Sequence, residues 1–169
     1  ENKGVNAVLV LLIGWSFIGT GLFAWYRRPS NRIGALMTAV GFTWFLSSLS
    51  FANLPGLFIA GAILGSLPIG ILIHMVLSFP SGRLEGRLAK GLVIATYVVV
   101  VVYMPIPWLF ADTTNESVCT GACPPNPILI ADNENLSNLL FGVANAAGVV
   151  ILAWTVKLAV GRWRRADRE

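Results

Sequence analysis

Charge is what this sequence has least of. Only 12% of its 169 residues are Asp, Glu, Lys or Arg, where soluble domains average about 25%. With 56% hydrophobic residues and mean hydropathy of +0.73, the chain cannot cover a soluble surface. Composition therefore predicts an integral membrane protein. Acids are the scarcer sign, and none falls inside a long apolar run. Proton and ion pumps normally bury carboxylates there, so an ion-coupled transporter is not expected. There is one histidine, His74, and there are two cysteines, Cys119 and Cys123. A haem or metal centre on His74 would need a partner, and no second histidine exists. No cofactor and no metal site are predicted. No GxGxxG, P-loop or HExxH pattern occurs, so the chain is not expected to be an enzyme. The net charge of +4 could suggest nucleic acid. The basic residues flank apolar runs instead of forming a soluble basic domain, which excludes that partner.

What is present is a series of runs long enough to cross a bilayer, which takes about 20 residues as a helix. The third organises the rest. It reads LFIAGAILGSLPIGILIHMVLSFP, carries His74, and stops at Pro80 with Arg83, Arg87 and Lys90 close behind. The predicted spans are 5–26, 33–52, 57–79, 91–110 and 136–160. Pro29 ends the first, and Asn53-Leu54-Pro55-Gly56 makes a tight reversal between the second and third. Pro68 should kink the third span or loosen its hydrogen bonding. The Tyr97–Tyr103 run would suit a strand in water, but a lone strand in lipid leaves its backbone unsatisfied, so helix is expected.

Charge also sets the expected orientation. Eleven of the twelve Lys and Arg residues follow span one, follow span three, or lie at the end of span five. The positive-inside rule then puts the N-terminus outside, the 111–135 loop outside and the C-terminus in the cytoplasm. The expected fold is all-α, a single domain over 1–169. It is a bundle of five transmembrane helices in a bacterial cytoplasmic membrane. Arg27, Arg28, Arg32, Arg83 and Arg87 are its predicted cytoplasmic anchors. The lipid bilayer is its first partner, with a second copy or other membrane subunits next.

Several residues stand out as candidates. Cys119 and Cys123 sit on the predicted outer face. An even count in an oxidising compartment favours a disulfide, with a redox switch as the sharper alternative. Gly61 and Gly65 form a GxxxG, and Gly142 and Ala146 repeat the spacing in span five. Such faces let helices approach closely, within one chain or between copies. His74 is either a neutral histidine bonded to a neighbouring helix or a pH sensor. Trp44, Ser47, Ser48, Tyr103 and Asn145 all count to the outer half of the membrane. They are read as interhelical hydrogen-bonding groups or as the lining of an outward pocket for a lipid or amphipathic molecule.

Three segments taken together are similar to a known pattern. They are AWYRRPSNRIGALM from Ala24, LSSLSFAN from Leu46, and HMVLSFPSGRL from His74. They resemble the N-terminal membrane region of sensor histidine kinases of the actinobacterial type, and Cys119, Cys123, Pro124 and Asn126 fit that family's outer loop. The resemblance implies a signal-input module for a two-component system, passing its output to a cytoplasmic kinase. The chain carries no phosphoacceptor helix and no nucleotide motif. A sensor fragment, a stand-alone protein built from the same module, and an accessory subunit of a larger membrane complex all fit this pattern. Such a subunit could also bind lipid or a cofactor.

Overall fold

The computed structural model describes residues 3–114 and 123–166. They are helical, with no strand among them. The elements are α1 (Lys3–Arg27), α2 (Ile33–Ser47), α3 (Pro55–Leu64), α4 (Leu67–Ser78), α5 (Arg87–Tyr97), α6 (Pro105–Trp108) and α7 (Glu134–Ala166). A 3-10 turn, Ser48–Phe51, extends α2, and a π-helical stretch, Val98–Tyr103, joins α5 to α6. Among the described residues five helical stretches are long and apolar enough to cross a membrane. They are Ala7–Arg27, Ile33–Phe51, Pro55–Ser78, Arg87–Trp108 and Glu134–Arg164.

The third stretch is broken, not simply kinked. α3 ends at Leu64, and Pro68 sits in the first turn of α4. A proline is tolerated there because its missing N–H would have no partner anyway. At the break the Gly65 amide donates to the Ala62 carbonyl at 3.4 Å. The Ser66 hydroxyl is buried without a hydrogen-bond partner. The fourth stretch widens instead. The Met104 amide donates to the Val99 carbonyl at 2.9 Å, five residues back. Pro105 and Pro107 cannot donate, and one extra residue per turn absorbs the mismatch.

Two kinds of packing hold the bundle. α1 and α2 meet backbone to backbone through Gly21, Gly34 and Gly41, while Gly14 makes room for the Phe45 ring. A Cβ at Gly21 would lie 2.5 Å from the Thr38 amide nitrogen, and one at Gly41 would lie 2.7 Å from the Gly14 carbonyl oxygen. α4, α5 and α7 instead share a side-chain core of Ile73, Leu77, Ala89, Val93 and Ile151. α2 packs against α4 and so joins the two parts. At one end, Trp108 makes edge-on ring contacts with Phe58 at 6.5 Å and Phe141 at 5.4 Å. This links α3, α6 and α7. Asn126 closes the chain beneath, donating to the carbonyls of Trp108 at 2.6 Å and Ala111 at 2.9 Å. The opposite end gathers the turns that carry Arg27, Arg28, Arg32, Arg83 and Arg87, together with Arg162 of α7.

Candidate functional site

The turn after α1 and the loop after α4 are far apart in sequence and meet at the basic end. Asn31 binds both ways. Its Nδ2 donates to the Pro80 carbonyl at 3.1 Å, and its Oδ1 accepts from the Ile33 amide at 3.0 Å. The Phe79-Pro80 peptide is cis. Gly82 has φ of +72° and donates its amide to the Ser78 carbonyl at 2.8 Å. A side chain here would meet the left-handed penalty and would also strike the Asn31 side chain and the Arg32 amide. On the other side Arg162 of α7 forks onto the same loop. Its Nη1 donates to the Leu77 carbonyl at 2.7 Å and its Nη2 to the Glu85 carbonyl at 3.0 Å. Leu77 is in the last turn of α4, where carbonyls lack helical partners. The loop is therefore pinned to α2 by Asn31 and to α7 by Arg162.

Between these elements lies a cavity of about 450 Å³ lined by Arg32, His74, Arg83, Lys90, Val93 and Ile94, with Gly82 and Leu84. A second hollow of about 560 Å³ shares Arg83 and adds Arg27, Arg28, Ser81 and Glu85. Glu85 accepts a hydrogen bond from Ser81 Oγ at 3.1 Å and lines only the second. Inside the bundle His74 Nδ1 lies 3.2 Å from Tyr97 Oη, with the two rings edge to face.

The residues singled out in the sequence fall in several places. His74 has a neighbouring-helix partner in Tyr97 and lines the basic cavity. Trp44 donates Nε1 to the Val10 carbonyl of α1 at 3.1 Å. Ser47 and Ser48 donate to the Trp44 carbonyl within their own helix. Tyr103 donates to the Leu140 carbonyl of α7 at 3.2 Å. Asn145 is exposed on the outer face of α7. These five do not line one pocket, because Trp44 faces α1 while Tyr103 faces α7. The hollows described above lie at the basic end instead.

The small-residue faces also divide. Gly61 packs against the Leu49–Ser50 backbone, so close that a Cβ would not fit. Gly65 meets only carbonyls of its own helix. Gly142 and Ala146 correct the expected packing within the chain. Both are exposed, and a Cβ at Gly142 would touch nothing within 4 Å. The inward side of α7 carries Ser137, Ala144, Ile151 and Thr155. Of the anchors, Arg27 lies 5.3 Å above the Phe23 ring, and Arg87 opens α5. Cys119 lies outside the described residues, so the expected pairing stays an expectation. Cys123 is not free. No group of three or more His, Cys, Asp or Glu that could hold a metal occurs among the described residues.

Asn31, Gly82, Lys90, Tyr97 and Arg162 shape this site and were not among the sequence candidates. Asn31 and Gly82 stand inside the segments quoted above, and Arg162 read only as one member of a basic run. Comparison with protein-family models, curated proteins and solved structures finds no match.

Proposed function

We propose that the chain is a membrane-embedded signal-input module of the kind carried by two-component sensor histidine kinases. The observation that carries this reading is the Arg162 fork. It fastens α7 to the end of α4 and to the loop behind it. α4 is the inner half of a broken span, so it can tilt without dragging α3 rigidly with it. A stimulus that shifts α3 or α6 at the aromatic cluster would reach α4 across the break. It would leave through Arg162 along α7. In this reading the basic end is cytoplasmic, the N-terminus is outside, and the membrane is the bacterial cytoplasmic one. The clustering of arginines at that end supports the orientation. The chain itself transfers no phosphate and hands its output to a kinase domain. The Cys119–Cys123 disulfide belongs to the same proposal, as a staple of the outer loop.

A second reading is an accessory subunit of a larger membrane complex, and Asn145 favours it. An amide exposed near the middle of a span faces hydrocarbon and needs a partner. Gly142 and Ala146 beside it leave room for another helix, from a second copy or a different subunit. Intact mass and co-purification from the native membrane separate the two readings. A kinase domain on the same polypeptide supports the sensor. A protein without one, held in fixed ratio with other subunits, supports the accessory role and removes the sensor reading.

A further inference from the structure

We infer that the cavity at the basic end binds the phosphate headgroup of an anionic phospholipid, with one acyl chain lying along α5. Three cations from three different elements line it: Arg32 before α2, Arg83 in the loop and Lys90 in the first part of α5. All three are exposed. None has an ion-pair partner among the described residues. No carboxylate lines the cavity, since the nearby Glu85 belongs to the adjoining hollow. Three like charges held around one space repel each other and call for an anion.

The shape selects a lipid over free phosphate. Leu84, Val93 and Ile94 give the cavity an apolar side. From Lys90 one face of the span continues as Ile94, Val98 and Val102, spaced four residues apart. These are 65%, 51% and 62% exposed. Residues at this spacing stack on one side of a helix. The stripe begins at the cations and runs into the hydrocarbon, which is the path of an acyl chain whose phosphate sits at Lys90. A soluble phosphate would use the cations and leave the stripe bare. Asn31, beside Arg32, bonds to the Pro80 carbonyl, and Gly82, beside Arg83, bonds to the Ser78 carbonyl, so the backbone carrying two of the cations is tied in place and the site does not rest on loose side chains alone.

Native mass spectrometry of the detergent-solubilised full chain, titrated with phosphatidylglycerol, tests the inference. One phosphatidylglycerol should be retained per chain, with phosphatidylcholine bound at least tenfold more weakly. Replacing Arg32, Arg83 and Lys90 together by Gln should weaken retention by about a hundredfold, at about fivefold per cation. The control is Arg28→Gln, Lys157→Gln and Arg164→Gln together, which removes the same charge outside the cavity and should change retention less than twofold. Equal losses in the two triple variants would mean a diffuse charge effect and overturn the site. Equal retention of the two lipids by the unaltered chain would overturn it without reference to any variant. Displacement of the lipid by millimolar inorganic phosphate would assign the cavity to free phosphate and overturn the lipid.

Discussion

The α1–α2 pair and the α4–α5–α7 group solve the same problem in opposite ways. Lipid tails are as apolar as a protein core, so burying leucine between helices gains little in a membrane. α1 and α2 respond by removing side chains. Gly21 faces Gly34, Gly41 lies against the Gly14 carbonyl, and at these three glycines, Gly21, Gly34 and Gly41, the two backbones approach until a Cβ has no room. α4, α5 and α7 keep their side chains and add directed bonds: His74 to Tyr97, Tyr103 to Leu140, Arg162 to Leu77 and Glu85. The first arrangement is set mainly by one backbone fit, with the Trp44 bond to the Val10 carbonyl as its directed side-chain contact. The second is made of contacts that can be exchanged one at a time. A module that must move is expected to keep its motion in the second group and its reference frame in the first.

The sharpest way to break this contrast is one chemical change in two places. Gly34→Ala forces a methyl into the Trp25 backbone and should cost about 3 kcal/mol or more, because backbone cannot yield as a side chain can. Gly142→Ala meets open space and should leave stability unchanged or raise it by up to about 1 kcal/mol through helix propensity. Thermal unfolding in detergent compares the two, and equal effects would dissolve the distinction. Arg162→Ala comes next. It strips a charged donor from two carbonyls and should cost about 2 kcal/mol, with Arg162→Lys restoring part of the loss. Hydrogen exchange should then rise in the 79–86 loop and leave α1 and α2 as they were.

Tyr97→Phe is smaller still. It removes only the hydroxyl from His74 and should cost about 0.6 kcal/mol, as hydrogen bonds between membrane helices do on average. The smallest effect lies outside the five apolar stretches. Asp112 accepts from the Thr114 amide at 2.9 Å and from its hydroxyl at 2.8 Å, and these bonds hold its carboxyl below the ordinary carboxylate value. Its contribution is complete above the unfolded-state value and fades as the pH falls through the depressed folded one. Thr114→Ala should raise the Asp112 titration midpoint measured by carbonyl-carbon NMR, with no change in the helices.

Hydropathy made the five helices legible, and Pro68 announced a disturbance in the third. The contacts between helices were not legible, for a physical reason. In water an apolar face marks the inside, but α1 and α7 carry apolar residues on buried and exposed sides alike, so an apolar face does not tell inside from outside. Spacing could not say that Gly142 and Ala146 face outward, leaving only a contact between chains for them, or that of Gly61 and Gly65 only Gly61 packs against another segment. The informative spacing was seven residues, Gly14 to Gly21 and Gly34 to Gly41. It becomes meaningful only when the two helices are set side by side. The basic end was legible as charge. That Asn31 and Arg162 grip one loop from both sides needed the fold, since 49 and 85 residues separate the bonded partners.

For the membrane module proposed above, the broken third stretch also constrains how such a chain would enter a bilayer. α3 has 10 residues and α4 has 12. At 1.5 Å per residue they reach about 15 and 18 Å, each well short of the roughly 30 Å hydrocarbon thickness. Neither half is long enough to cross by itself, so the proposed membrane module would have to insert both as one segment. The most apolar 18 residues within Pro55–Ser78 have a mean hydropathy of 2.2, the highest such value of the five stretches. In the proposed membrane module that surplus apolarity would offset the weakened hydrogen bonding at the joint, where the Gly65 amide reaches the Ala62 carbonyl only at 3.4 Å. A polar substitution near Gly65 would be felt first in biogenesis, as a hairpin left on the wrong side, before any loss of folded stability could be measured.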